Sequence, residues 1–148
     1  MVISLQLMLD CRKDHKLTEP AKHTEKGVGS LTRYPESENR LVEGGLRMNG
    51  DFKADTPQAP LVSIVTVVKD NASTLQRCID AVQAQNYSNI EHIVIDGGST
   101  DGTVDLIRQN SEYIDYYISE TDRGIYEAMN KGIRLAQGSY LAMINSDD

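Results

Sequence analysis

The chain has 148 residues, 39% hydrophobic and 25% charged, with a net charge of −7, which is one domain's worth of a soluble globular protein without room for two full cores. Residues 1–60 carry nine basic and nine acidic side chains and residues 61–148 carry six and thirteen, so the whole imbalance belongs to the second segment. An acidic segment excludes the basic face that nucleic acid needs and suits a phosphate site whose positive charge comes from a metal ion.

Met1–Leu9 is short, lacks a basic start and runs into Asp10, so no signal peptide is expected. No run approaches the roughly 20 apolar residues that cross a bilayer. A cytoplasmic location is the expectation, and peripheral association with the inner face of a membrane is compatible with it. Asp10–Asn39 reads as weakly ordered, with a short strand or hairpin around Arg40–Phe52. The chain divides near Pro57–Pro60 into an irregular extension, residues 1–59, and a patterned domain, residues 60–148.

Leu61–Val68 is a continuous apolar run rich in β-branched residues, the pattern of a strand buried on both faces. Ala72–Gln85 follows with Leu75, Cys78, Ile79 and Val82 at helical spacing and Asn71 or Ser73 as N-cap. Ile90–Ile95 is the second strand. Thr100 or Asp101 caps a second helix carrying Val104 and Ile107. Tyr113–Ser119 is the third strand, with Ile114, Tyr116 and Ile118 inward. Ile125, Ala128, Met129, Ile133 and Ala136 mark a third helix closed by Gly138 at C′. Tyr140–Ile144 is the fourth strand. Cys11 and Cys78 lack metal-ligand spacing, and Cys78 is expected as a buried thiol.

Strand–helix alternation with short connections predicts a Rossmann-like three-layer α/β domain with a mostly parallel sheet. Ligands bind such sheets at the carboxyl ends of the strands, where strand order reverses. Every predicted strand exit carries an acid: Asp70, then Asp96 and Asp101, then Glu120 and Asp122, then Asp147 and Asp148. With the four strands ordered 3-2-1-4, Asp147 and Asp148 face the crevice, and paired carboxylates there suit a divalent cation and a diphosphate. Duller readings stand beside these. Asp96–Gly102 also reads as a turn with a helix cap, Asp147 and Asp148 as a solvated chain end, and His92 and the tyrosines as packing residues. Lys69 is either a phosphate anchor or a solvated strand end. A dinucleotide fingerprint, a P-loop, an EF-hand and a nucleophilic triad all fail on the residues present.

Val62-Ser-Ile-Val-Thr-Val-Val68, Ile93-Val-Ile-Asp-Gly-Gly-Ser-Thr-Asp-Gly-Thr103, Asp122-Arg-Gly-Ile-Tyr-Glu-Ala-Met-Asn-Lys-Gly132 and Ile144-Asn-Ser-Asp-Asp148 together resemble the successive motifs of the family 2 nucleotide-sugar glycosyltransferases, which have the GT-A fold. The resemblance covers about residues 43–148, including the lead-in Glu43-Gly-Gly-Leu-Arg47. It implies that Thr66 and Val68 line the nucleobase pocket and that Asp96 accepts hydrogen bonds from the base. Asp147 and Asp148 would be the acids touching the ribose and a Mg²⁺ or Mn²⁺ ion, with Asp122, Arg123, Asn130 and Lys131 around the phosphates and sugar. Asn145 stands where many members have the first acid, which shifts ligation toward Asp148. Lys69-Asp70 replaces a commoner Tyr-Asn pair.

The implied activity is transfer of a sugar from a nucleoside diphosphate sugar, UDP-linked by preference, to a hydroxyl of a glycan or lipid-linked acceptor. Bacterial surface polysaccharide synthesis is the implied setting. Members supply the general base after the acidic motif, so the base is expected beyond Asp148, and the chain reads as the donor-binding portion. A catalytically inactive fragment or regulatory nucleotide-binding module is the alternative, and a nucleotidyltransferase a second one.

Overall fold

A computed structural model describes residues 31–147; the expectations for Asp10–Ser30, Cys11 and Asp148 lie outside them. Five strands form one sheet: β1 (Arg40–Gly44), β2 (Val62–Val68), β3 (Ile90–Asp96), β4 (Tyr116–Glu120) and β5 (Tyr140–Asn145). The helices are α1 (Ala72–Gln83), α2 (Thr103–Gln109) and α3 (Ile125–Leu135), with a 3-10 turn at Leu46–Asn49. The sheet order is β1-β4-β3-β2-β5. β2 pairs in parallel with β3 and β5, β3 in parallel with β4, and β1 runs antiparallel to β4. The four parallel strands therefore take the 3-2-1-4 order supposed above, and the order reverses between β2 and β5.

The layers follow from the side chains. α3 covers one face, where Val65, Val67, Ile93, Ile95, Tyr116 and Ile118 meet Ala128, Leu135 and Ala136. α1 and α2 cover the other, where Val68, Val94, Ile114 and Tyr117 meet Leu75, Ile79 and Ile107. Helices on both faces explain why all seven residues of β2 are buried.

Three details differ from the periodicity reading. The third predicted strand starts at Tyr116 rather than Tyr113, and both sides of it are covered: Tyr116 and Ile118 face α3, whereas Ile114 and Tyr117 face the other layer. The buried stripe of α3 is Ala128, Lys131, Gly132 and Leu135, leaving Ile125 and Ile133 48% and 36% exposed. Lys131 can go inside because its Nζ lies 2.8 Å from buried Glu120. Gly138 is not a left-handed C′ residue; the helix ends at Ala136 in extended conformation. Gly138 sits where a Cβ would come within 2.4 Å of the Leu61 carbonyl, so close approach to the sheet requires it.

The segment before Pro57 adds a buried ion pair that the sequence did not announce. Arg47, on the 3-10 turn, lies 2.6 Å from Glu91 on β3 and donates to the Leu135 carbonyl at 2.9 Å. Glu91 also accepts from the Ser63 hydroxyl and the Gln137 amide. All of this lies at the amino ends of the parallel strands, leaving their carboxyl ends clear.

Candidate functional site

Four loops leave the carboxyl ends of the parallel strands, and hydrogen bonds join three of them. After β2 the chain passes through Lys69-Asp70-Asn71, and Asp70 has φ 46°, the left-handed region that costs a non-glycine residue about 1 kcal/mol or more. Two contacts hold it there: the Asp70 amide donates to Ser99 Oγ at 2.7 Å, and the Thr100 amide donates to the Asp70 carboxylate at 2.7 Å. Asp101 accepts from the Thr103 hydroxyl and amide and, across the gap, from the first amide of α1 at Ala72. Those bonds, the Thr103 hydroxyl first, hold its carboxyl below the ordinary carboxylate range. On the other side the Asn71 side-chain amide donates to Ser146 Oγ at 3.0 Å and the Thr74 hydroxyl donates to the Ser146 carbonyl at 2.8 Å.

Asp96, the last residue of β3, is fully buried. Its carboxylate accepts from the amides of Gly98 and Ser99 at 3.1 and 3.0 Å, from the Ser119 hydroxyl at 2.5 Å, and from the Ser99 hydroxyl. Four protein donors satisfy a charge that would otherwise be too costly to bury. Gly98 turns with φ 81° against the Thr121 backbone, where a side chain would collide.

The strand exits surround a cleft of about 440 Å³. Val67, Val68, Lys69 and Asn71 line it from β2, and Gly97 from β3. Asp122, Gly124, Ile125 and Ala128 line it from the β4–α3 connection, and Asn145, Ser146 and Asp147 from β5. It lies at the switch point of the sheet, the place where open α/β sheets bind ligands.

Of the residues singled out from sequence, Val68, Asp122 and Asp147 line this cleft; Thr66, Asp96, Arg123, Asn130 and Lys131 do not. Thr66 is buried, its hydroxyl 2.8 Å from His92 Nε2 and 3.6 Å from Cys78 Sγ. Asp96 spends its oxygens on the loop rather than on the cleft. Arg123 points into solvent against Glu127, and Lys131 is sealed against Glu120. The even acidic rim is thus reduced: Asp70, Asp96 and Asp101 serve as struts, and Asp122 and Asp147 remain at the cleft. Asn71, Gly97, Ile125 and Ser146 were missed. An Asp-Gly-Thr run after a strand is itself an Asx-turn signal, and it pointed to the strut role of Asp101.

The glycosyl transferase family 2 model matches residues 63–148, more than half of the chain. The chain belongs to glycosyl transferase family 2. Among similar relatives, an uncharacterised glycosyltransferase of Mycobacterium tuberculosis is 44% identical over 91 residues, 61% of this chain and 35% of that protein. A PGL/p-HBAD biosynthesis glycosyltransferase of Mycobacterium bovis is 34% identical over 93 residues, 61% of this chain and 36% of that protein. The chain therefore spans about a third of the length of the curated relatives it matches.

Among solved structures, a mannosyltransferase from Pyrobaculum calidifontis in complex with GDP-Man and Mn²⁺ superposes with a TM-score of 0.57. It has 22% identity and covers 68% of this chain and 32% of its own. TarS of Staphylococcus aureus in complex with UDP-GlcNAc gives a TM-score of 0.53 at 16% identity, covering 59% of this chain and 26% of its own. Both establish a shared GT-A fold. Among the described residues of this family 2 chain, no group of three or more His, Cys, Asp or Glu is placed to hold a metal alone. Also among them, no helix is long and apolar enough to cross a membrane.

Proposed function

We propose that the cleft binds the nucleoside diphosphate of a sugar donor, UDP-linked by preference, and that the chain is the donor-binding part of a glycosyltransferase acting on a glycan or lipid-linked hydroxyl. The observation that carries this reading is the pairing of Asp122 and Asp147 in one cleft at the sheet's switch point. Among the described residues Asp122 accepts one hydrogen bond, from the Gly124 amide, and Asp147 is exposed on the turn after β5. Hard carboxylate oxygens of this kind fit Mg²⁺ or Mn²⁺, with the remaining ligands drawn from phosphate and water. When bound, such a cation neutralises charge on the leaving diphosphate.

The chain's own contribution is positional. Val67, Val68 and Ala128 give the cleft apolar walls, and Asn71 fixes the turn bearing Asp147 through Ser146. Asp96 fixes the Gly97–Ser99 loop, whose Gly97 lines the cleft, by accepting from the Gly98 and Ser99 amides.

Calorimetric titration with UDP and with GDP, with and without Mn²⁺, tests the reading. UDP is expected to bind at least about tenfold tighter with Mn²⁺, and Asp147→Ala is expected to lose that increment. No binding of either nucleotide, or the same affinity in all conditions and in the variant, would overturn it.

A further inference from the structure

Lys69 differs from the other cations around the strand exits. Arg40 and Lys131 are committed to Glu120 at 2.9 and 2.8 Å, and Arg123 to Glu127 at 3.2 Å. Lys69 lines the cleft, is exposed, and among the described residues makes no ion pair with Asp122, Asp147 or any other acid. Among the described residues lining the cleft, it is the one cationic side chain.

The backbone beneath it is held in place on both sides. Asp70 keeps its left-handed φ through Ser99 and Thr100, and Asn71 ties the same loop to Ser146, next to Asp147. Strain persists only where the surroundings impose it, and it clusters at binding sites. Here those hydrogen bonds fix the backbone beside two groups of one cleft: an ammonium that makes no ion pair among the described residues, and the exposed Asp147 carboxylate.

We propose that Lys69 is a donor-binding residue that donates from its ammonium to a non-bridging oxygen of the donor's diphosphate. It shares charge neutralisation with a divalent cation held near Asp147. The inference rests on the donor-binding reading above. A diphosphate is the part of such a ligand that calls for it, since the other charged groups among the described residues lining the cleft, Asp122 and Asp147, repel phosphate. A neutral base or sugar would draw little from an ammonium, whereas a charge-assisted hydrogen bond to phosphate is among the strong ones.

The experiment compares wild type, Lys69→Met and Lys69→Arg by calorimetry with UDP and with uridine, each with and without Mn²⁺. Loss of a hydrogen bond between charged groups should weaken UDP binding about tenfold or more in Lys69→Met, leave uridine unchanged, and be largely restored in Lys69→Arg. The loss should persist without Mn²⁺, because the ammonium acts independently of the cation. If wild type binds UDP and Lys69→Met binds it equally well, Lys69 has no such role while the donor-binding reading stands. If UDP and uridine weaken together, Lys69 meets the nucleoside and the diphosphate assignment is wrong. Failure of wild type to bind any nucleoside diphosphate removes both.

Discussion

His92 lies in the middle of β3 with Nε2 against the Thr66 hydroxyl and Nδ1 buried, without a hydrogen-bond partner among the described residues. Burial, helped by the positive charge of Lys53, lowers its pKa from 6.5 to about 3. The unfolded chain takes up this proton near pH 6.5 and the folded chain refuses it until about pH 3. The stability tied to His92 is therefore complete above pH 6.5 and is lost as the pH falls toward 3. Asp115 has the opposite sign: burial raises its pKa, so its ionisation withdraws stability as the pH rises through the acid range. Urea denaturation at pH 7 and pH 4.5 should show a clear fall for wild type and a shallower one for His92→Gln. An identical slope in both would show that other groups carry the acid sensitivity.

At the scale of elements, α3 depends on a position that looks weak in the sequence. Gly132 faces β2, and a Cβ there would lie 2.2 Å from Val65 Cγ1. Alanine is the better helix former by about 1 kcal/mol, yet overpacking a filled site costs about 1–3 kcal/mol, so packing should win. Gly132→Ala is expected to lower the thermal midpoint, and adding Val65→Ala should recover part of the loss. A Gly132→Ala protein more stable than wild type would mean that helix and sheet separate at no cost.

The same helix shows what periodicity could and could not deliver. A continuous β-branched run identified β2, and the mostly parallel sheet followed from strand–helix alternation with short connections, whereas the strand order was only assumed. The stripe of α3 was misjudged because a lysine and a glycine occupy inward positions, the first neutralised by Glu120 and the second required by close approach. Asp147 and Asp122 were legible as cleft residues because a strand exit fixes where an acid emerges. Asp96 was legible as the buried end of β3, but its donors Ser99, on the loop after β3, and Ser119, on β4, were not, since pattern alone does not show who donates to whom.

For the molecule as a whole, the strongest tie between the amino-terminal segment and the sheet is Arg47 with Glu91. Both side chains are buried, and Arg47 also lies 5.8 Å from the Tyr116 ring centroid. Removing one partner of a buried pair strands the other charge and typically costs about 3–5 kcal/mol. Arg47→Met should therefore destabilise the fold by about that much in urea denaturation, and Arg47→Met with Glu91→Gln should cost less than the single change. A single variant as stable as wild type would show that Glu91 is satisfied by Ser63 and Gln137 alone.

β1 stands earliest in the sheet by sequence, yet its partner β4 arrives late, with Arg40 opposite Glu120. β2, β3 and β4 can pair through connections of about 20 residues, while β1 must wait for β4 and close a loop of about 70, as β5 must to reach β2. Long-range pairing of that kind is entropically slow. The earliest of the described strands is thus among the last to dock, and until it does, β4 presents an open edge to any other chain that offers a strand.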